Sequence, residues 1–322
     1  MHLYKIGHQF SGYYYYNLYQ VPVYFNGEDS SEKGTIKLGS ILPDPEISEY
    51  FLIHIKDSTA SGEWHTTKDA KTLEFSAREN ILPLRFDFLY LQDSSRLKPA
   101  MTGSPLATYE VATIWPKGNS TQVNFLKRTI NEEFGVKNST EDIDKIFLRR
   151  KKTYFDGYLK NNKDVKIEDL QDPYIYSMEE TDHLMITFQS SKLLTLAFFS
   201  YSYAGGAHGD FSTTFSSLDL VKNKKIMLND VVTLTGKKQL PKLLEKYFRK
   251  MYGLKDTDSL SDGGLFENMI KPNSNFYLTS KGIGFDYAPY EIAPFALGEI
   301  NIFIPFSELN GSLQPAFKMI ID

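Results

Sequence analysis

Hydrophobic positions in the first hundred residues fall into short runs of strand-forming residues that polar turns separate. Aromatic and β-branched residues form short runs at 13–16, 21–25, 35–38 and 50–55. Polar and glycine-containing segments separate these runs, which is typical of successive strands joined by tight turns. The sequence therefore predicts an antiparallel β meander. Because this β-rich segment begins abruptly at residue 1, as though the chain entered a sheet already under way, we also expect an upstream strand and a leader ahead of Met1.

Three later segments have a helical period instead. Apolar residues recur every three or four positions from Val123 to Phe134, from Ile143 to Tyr158 and from about Lys237 to Tyr252. This spacing predicts three helices, each with one apolar face. Pro241 lies in the third segment, and we expect it in the first turn, where a missing N–H costs no helical hydrogen bond.

Strand-like runs surround these helices instead of alternating strictly with them. Such clustering favours an α+β fold, with an N-terminal antiparallel β meander followed by an α+β module with a mixed or antiparallel sheet and about three helices. A polar stretch with two prolines at 92–106 indicates a domain boundary. We predict a β-rich domain at 1–100, a first α+β subdomain at 107–204 and a second at 205–322.

Composition excludes several functional classes. The chain has 322 residues, a formal net charge of −4 and no cysteine. The absence of cysteine excludes disulfide scaffolds, thiolate zinc sites, iron–sulfur clusters and cysteine nucleophiles. The acidic balance disfavours a nucleic-acid partner, which requires a basic surface. No apolar run approaches the length of about 20 residues that a membrane-spanning helix needs, so we expect no transmembrane segment.

Motifs for common cofactors and for metals are also missing from the sequence. The six histidines do not have the HxH, HxxH or HExxH spacing of metal ligands. The chain contains neither the GxSxG of serine hydrolases nor a phosphate-binding glycine loop. We therefore predict no cofactor and no metal.

The glycine-rich segment 201–210 is the first candidate site. It combines Gly205, Gly206 and Gly209 with His208 and Asp210. In a catalytic interpretation, His208 is a general base or metal ligand that Asp210 orients. In the structural interpretation, which we prefer, the glycines supply positive φ angles in a connection between strands and His208 makes a local hydrogen bond.

The segment 285–298 is the second candidate site, because prolines punctuate a run of aromatic residues there. It includes Tyr290, Glu291, Pro294 and Phe295. These residues could form a rigid apolar projection that docks a protein or stacks on a sugar, since aromatic side chains give contact area at low entropic cost. They could equally be tucked into the core by a proline-stiffened loop. The sequence leaves both interpretations open.

The order of these motifs resembles a known family. A Gly-Gly-Ala-His-Gly block at 205–209 precedes Lys-Ile-Met-Leu-Asn-Asp-Val-Val at 225–232, and Tyr-Glu-Ile-Ala-Pro-Phe-Ala-Leu-Gly follows at 290–298. The arrangement, over roughly 107–312, resembles the paired domains of unknown function of the RsiV/PdaC type. Such domains occur in lysozyme-sensing anti-sigma factors, beside peptidoglycan deacetylase domains and in Bacteroidetes envelope lipoproteins.

The resemblance implies a module that lies outside the cytoplasmic membrane and binds a partner without catalysis. The partner would be a lysozyme-like hydrolase or a glycan of the cell wall. The location would be the periplasm, or an outer-membrane anchor attached through a leader that is not in this chain. In the deacetylases, the catalytic residues belong to a separate domain with no counterpart here.

Our leading hypothesis is therefore a non-enzymatic binding protein of the cell envelope. We expect Tyr290, Glu291, Pro294 and Phe295 to contact the partner and His208 to be the orienting polar group. The alternative is a hydrolase of envelope glycan that uses His208 and Asp210 with a carboxylate from 286–299. A third hypothesis is a structural envelope component whose β domain contacts sister chains.

Overall fold

The structure is a computed structural model that describes residues 1–16, 22–30, 34–40, 48–79, 84–170, 172–309 and 311–321. Its strands are β1 His2–Ile6, β2 Gln9–Tyr14, β3 Val23–Asp29, β4 Thr35–Ser40, β5 Glu49–Lys56, β6 Thr59–Thr66, β7 Lys71–Arg78, β8 Phe86–Arg96, β9 Leu106–Pro116, β10 Met178–Gln189, β11 Leu193–Tyr203, β12 Asp210–Asp219, β13 Lys224–Lys225, β14 Phe276–Leu278, β15 Gly282–Tyr287 and β16 Ile300–Pro305. Its α-helices are α1 Thr121–Glu133, α2 Ile143–Asn161, α3 Leu228–Val231, α4 Leu234–Tyr252 and α5 Pro315–Ile321. The predicted α+β class is confirmed.

The first seven strands form one antiparallel sheet in sequence order, so the predicted meander is correct. This sheet is strongly curled. The rings of Tyr14 in β2 and Phe51 in β5 lie 5.1 Å apart, although β3 and β4 separate their strands. A flat sheet would place these strands about 14 Å apart, at about 4.8 Å per strand. The curl lets aromatic residues from distant strands form one core.

Three glycines inside the strands of this sheet permit close backbone contacts. A Cβ atom on Gly12 would lie 2.0 Å from the carbonyl oxygen of His2, one on Gly27 would lie 1.9 Å from that of Lys37, and one on Gly62 would lie 1.8 Å from that of Leu52. No other residue could occupy any of these positions without moving the neighbouring strand.

The second sheet has six strands in the order β13-β12-β11-β10-β9-β8. Only the pairing of β9 with β10 is parallel within it, and the crossover between these strands contains α1 and α2. The two helices cover one face of the sheet, where Tyr109, Val111, Leu184 and Leu196 are buried beneath them. The sheet is therefore mixed, as expected.

Strand β8 extends into the segment 92–106, where the sequence predicted a domain boundary. β8 extends to Arg96 and pairs with β9 from Phe86↔Pro116 to Arg96↔Leu106, so the polar segment 92–96 is the exposed end of a strand and not part of a linker. β8 belongs to the second sheet because its apolar half packs against the core under α1 and α2. Pairing of β11 with β12 also crosses position 204. The division into three domains stays a prediction.

The third sheet, β14-β15-β16, packs against α4 and contributes to the largest apolar core. α4 begins at Leu234, where the Thr233 side chain accepts a hydrogen bond from the Gly236 N–H at 3.2 Å. Pro241 is therefore the eighth residue of the helix, and our prediction that it lies in the first turn was wrong. The apolar period could not reveal this start, because the residues from Leu234 to Lys238 include only one large apolar side chain.

The face of the second sheet that lies opposite α1 and α2 is only partly covered. Ala197 and Phe215 pack there against Tyr277 of the third sheet. The N-terminal sheet reaches the same module, with Tyr4 5.5 Å from Phe88 between ring centroids. The rest of this face, toward the Tyr203 end of β11, is half-exposed.

Candidate functional site

The structure brings the two predicted loops together. The His208 ring stacks on Phe295 at 3.9 Å between centroids, and Tyr290 and Phe211 lie 5.7 Å and 5.6 Å from Phe295. We call these four residues the aromatic loop cluster. His208 and Tyr290 are exposed, and the exposed Pro294 immediately precedes Phe295. The cluster is therefore a projecting surface, in which Phe295 is the central ring.

The glycines of the first loop have different structural roles. Gly205 and Gly206 have φ angles of +84° and +107°, as the structural interpretation predicts. A Cβ on Gly205 would also lie 2.6 Å from the carbonyl oxygen of Ile175. Gly209 provides space, because a Cβ there would lie 2.5 Å from the Tyr201 ring. The glycine block thus fixes the path that presents His208.

The second loop holds Tyr290 in an uncommon backbone conformation. Its φ angle is +67°, which costs of order 1–3 kcal/mol for a residue other than glycine. The Tyr290 N–H donates to the Ala293 carbonyl at 3.0 Å. Glu291 braces the turn by accepting from the Ala288 N–H at 3.1 Å and from Asn273 Nδ2 at 2.9 Å. Glu291 therefore supports the loop, and its carboxylate is already hydrogen-bonded.

His208 makes a local contact with the backbone. Its Nδ1 lies 3.0 Å from the Gly209 carbonyl oxygen. Asp210 is exposed, and no hydrogen bond joins it to His208 among the described residues. Nor does the described part of the chain contain a group of three His, Cys, Asp or Glu residues that could hold a metal ion. The geometry agrees with the structural interpretation of this loop.

A second surface adjoins the cluster, and the sequence did not point to it. Residues that pair across β8 to β12 share a face of the sheet and form transverse rows. The first row is Gln92, Glu110, Thr181, Tyr201 and Phe211, and the second is Tyr90, Ala112, His183, Phe199 and Thr213. We call these two rows the open sheet face. Apart from the exposed Gln92 and the buried Ala112, their residues are half-buried.

A polar network lies in the middle of the open sheet face. His183 Nε2 lies 2.8 Å from Glu110 Oε1, and the Tyr90 hydroxyl donates to Glu110 Oε2 at 3.2 Å. The hydrogen bond from His183 lowers the pKa of Glu110. Burial, aided by the charge of Glu110, raises the pKa of Tyr90 to about 12. The network therefore holds an ionised Glu110 between two ring side chains.

Two further carboxyl groups, Asp286 and Glu299, lie near Thr213 at the β12 end of the second row. Asp286 is 3% exposed, and its Oδ2 accepts from Asn301 Nδ2 at 2.9 Å. Its Oδ1 has no partner among the described residues. Burial, followed by the charge of Glu299, raises the pKa of Asp286 to about 8. Asp286 is thus a neutral acid at pH 7.

Glu299 is hydrogen-bonded to the open sheet face. It accepts from the Thr213 hydroxyl at 3.0 Å and from the Thr213 backbone N–H. Burial raises the pKa of Glu299, and these hydrogen bonds act in the opposite direction. Tyr24 of the N-terminal sheet lies near both carboxyl groups. Burial raises the pKa of Tyr24, and the charges of Asp286 and Glu299 raise it further. Three sheets therefore meet near this carboxyl pair.

Two clefts lie elsewhere on the molecule, with volumes of about 400 Å³ and 420 Å³. The first lies at the start of α1 beside Arg85 and Lys117, and the second lies beside Arg150, Tyr154 and Glu180. Neither contains a residue that the sequence singled out as a site. Of the predicted site residues, His208, Tyr290 and Phe295 instead belong to the aromatic loop cluster, and Glu291 and Pro294 lie in the same loop as Tyr290 and Phe295.

With this geometry in view, the chain can be compared with known proteins. Residues 225–307 match a family described as "Protein of unknown function (DUF3298)". The matched segment includes Tyr290, Glu291, Pro294 and Phe295, and it ends before the last helix. No curated protein matches the chain.

Among the solved structures that resemble this one are two members of the same family. A DUF3298 family member from Bacteroides fragilis is 24% identical, with a TM-score of 0.67, and the match covers 74% of this chain and 98% of that one. A DUF3298 family protein from Pseudomonas aeruginosa is 18% identical, with a TM-score of 0.48, and the match covers 73% and 96%. The first likeness supports the fold. Among the described residues, no helix has the length and apolar character needed to cross a membrane.

Proposed function

We propose that this protein is a non-enzymatic binding protein of the RsiV/PdaC type, placed outside the cytoplasmic membrane. Its contact surface is the aromatic loop cluster, and its partner is a lysozyme-like hydrolase or a glycan of the cell wall. The observation that carries this proposal is the stacking of His208 on Phe295, with Tyr290 beside them, on an exposed projection.

The hydrogen bonds that hold the second loop support a binding role. Tyr290 has a positive φ angle, and Glu291 braces the loop backbone that presents the exposed Tyr290 ring. A preorganised aromatic side chain loses little entropy on binding. Tyrosine is also enriched among the residues that contribute most to binding at interfaces.

The alternative of a hydrolase has less support from the geometry. A general base must lie within hydrogen-bond reach of a proton that it can take up, and a partner usually orients it. His208 Nδ1 instead faces the Gly209 carbonyl, and the His208 ring stacks on Phe295. This arrangement suits an orienting contact residue better than a base paired with Asp210.

Capture experiments test the proposal. Immobilised lysozyme and insoluble peptidoglycan should each be incubated with the wild type, with the double variant Tyr290→Ala/Phe295→Ala and with Tyr16→Ala. Tyr16 is a matched control because it is 52% exposed, against 56% for Tyr290, and lies outside the cluster. We expect the double variant to weaken capture by about tenfold or more, and Tyr16→Ala to leave it unchanged.

Failure of the wild type to bind either probe would remove both named partners. Equal capture by the double variant would remove the aromatic loop cluster as the contact surface. Release of sugar fragments from peptidoglycan, abolished by His208→Ala, would establish the hydrolase instead.

A further inference from the structure

The open sheet face has a regular geometry. Five strands contribute one residue each to both rows, and neighbouring strands lie about 4.8 Å apart. This spacing is close to the length of one pyranose unit in an extended saccharide chain. A chain of four such units could cross the face from β8 to β12 with about one unit over each interval.

The side chains of the two rows combine rings with hydrogen-bonding groups. Tyr201 and Phe199 present half-exposed aromatic surface on β11. Thr181 presents a polar group on the neighbouring strand β10, and Gln92 presents one at the β8 edge of the face. Sugars have apolar C–H faces and a rim of hydroxyl groups, so they need both kinds of contact at once. This composition differs from the opposite face, where Val111 and Leu184 are fully buried.

The charges of the face point to a neutral ligand. The two rows contain one carboxylate and one histidine, and these are Glu110 and His183, which bind each other. A polyanion would find no unpaired cation in the two rows, and it would approach Glu110. A neutral ligand is not repelled by the Glu110 carboxylate, which already makes hydrogen bonds with His183 and Tyr90.

The open sheet face continues into the aromatic loop cluster. Phe211 belongs to the first row and also contacts Phe295, with ring centroids 5.6 Å apart. A ligand on the face could therefore extend onto Phe295 and Tyr290. The two surfaces form one continuous contact area on the same side of the molecule.

From these observations we propose that the open sheet face binds a neutral saccharide chain that lies across β8 to β12. This inference rests on the proposed binding function and names the chemistry of one ligand. It assigns to the ligand a surface that is separate from the residues singled out in the sequence. Tyr201 and Phe199 stack on the sugar rings, and Gln92 and Thr181 bind the sugar hydroxyl groups.

Calorimetric titration of the full chain tests the proposal. The probes are chitotetraose and cellotetraose, which are neutral, and tetragalacturonic acid, which is anionic. We expect at least one neutral tetrasaccharide to bind and the anionic one to bind at least about tenfold more weakly. Absence of binding by both neutral probes up to about 5 mM would overturn the proposal, as would preference for the anionic probe.

Variants locate the binding surface. Thr181→Arg places a bulky side chain in the middle of the first row. Thr214→Arg makes the same substitution on an exposed residue of β12. Thr214 lies on the opposite face of the sheet, because it follows Thr213 in the strand and pairs with Phe198, whereas Thr213 pairs with Phe199. We expect Thr181→Arg to weaken neutral saccharide binding by about tenfold or more and Thr214→Arg to change it by less than about twofold. Equal effects of the two variants would overturn the proposal.

A second variant keeps the test valid if Thr181→Arg does not fold. Gln92→Arg obstructs the same row from an exposed position at the sheet edge. Failure of the saccharide proposal is also distinguishable from failure of the proposed function. Capture of lysozyme that depends on Tyr290 and Phe295, without binding of any tetrasaccharide, would overturn the saccharide proposal and support the proposed binding function.

Discussion

Burial determines the protonation state of individual residues at the centre of this molecule. Asp286 and Glu299 are both acidic side chains in the last third of the chain, and nothing in their local sequence distinguishes them. Asp286 is 3% exposed and has one hydrogen-bond donor, Asn301, on its side chain. Glu299 receives two hydrogen bonds from Thr213. Their different surroundings make Asp286 the neutral acid.

A prediction follows for the pH dependence of stability. The pKa of Asp286 is about 8 in the folded state and near 3.8 in the unfolded state. Between these values the folded state binds one more proton, so Asp286 makes the free energy of unfolding fall as pH rises, by at most about 1.4 kcal/mol per pH unit. Asp286→Asn removes this slope and keeps an oxygen that accepts from Asn301.

Urea unfolding at several pH values between 5 and about 8 measures the effect. We expect Asp286→Asn to be more stable than the wild type at about pH 8. At about pH 5 we expect the two proteins to differ less in their free energy of unfolding. Asp87→Asn is a control, because Asp87 is an exposed partner of Lys117. An identical pH slope for wild type and Asp286→Asn would contradict the neutral state of Asp286.

The glycine block shows how much a local pattern predicts at this scale. The sequence predicted positive φ angles, and Gly205 and Gly206 have them. It did not predict why Gly209 is needed, because the reason is the Tyr201 ring from the preceding strand. It also gave no sign of the positive φ angle of Tyr290.

The elements follow the apolar period closely, but their ends depend on caps. α1 begins at Thr121, with Ser120 accepting from the Val123 N–H at 3.2 Å, which agrees with the predicted segment. α4 extends further toward the N-terminus than its apolar residues indicate, because Thr233 caps it. The helix therefore includes Pro241, which cannot donate the usual N–H hydrogen bond.

An ion pair joins helix α2 of the crossover to strand β10 of the sheet beneath it. Arg150 of α2 donates to Asp182 of β10, which is 2% exposed, and also to Glu180 at 3.0 Å. Removing Arg150 would leave Asp182 buried and unpaired. We expect Arg150→Met to lower the free energy of unfolding by about 3–5 kcal/mol.

A double-mutant cycle with Asp182→Asn separates the interaction free energy between Arg150 and Asp182 from the contribution of each side chain's own packing. We expect the double variant to be more stable than Arg150→Met alone, since the uncompensated charge is then gone. Urea unfolding gives the free energies. A loss below about 1 kcal/mol for Arg150→Met would contradict the importance of this pair.

Across the whole molecule, the N-terminal sheet is attached to the α+β module by aromatic contacts. Tyr15 lies 6.2 Å from Phe188 between ring centroids and packs against the largest core, and Tyr4 lies 5.5 Å from Phe88. Tyr24 lies near the carboxyl pair of the third sheet. The sheet is therefore coupled to the same core that supports the candidate binding surface.

This coupling can be measured. Phe188 is 4% exposed in the largest core, so we expect Phe188→Ala to cost about 3–5 kcal/mol. We also expect faster hydrogen exchange in β2, because Tyr15 loses its contact. Phe266→Ala is the control, since Phe266 is 56% exposed and its truncation should change stability by less than about 0.5 kcal/mol. Unchanged exchange in β2 would indicate that the two parts unfold independently.

The sequence by itself determined the N-terminal meander, the existence of the long helices α1, α2 and α4, the α+β class and the two glycine- and proline-shaped loops. These features depend on propensities and periods that act over a few neighbouring residues. The sequence did not reveal that Glu110 pairs with His183, because His183 is 73 positions away and reaches Glu110 only through the parallel crossover.

Only the tertiary structure decided which surfaces remain uncovered. Pairing of β8 to β12 aligns residues from distant segments into rows, and packing of the other two sheets covers only part of that face. The same packing buries Asp286 and keeps it neutral. Exposure and protonation depend on which distant residues surround a side chain, so they follow from the assembled sheets and not from the local pattern.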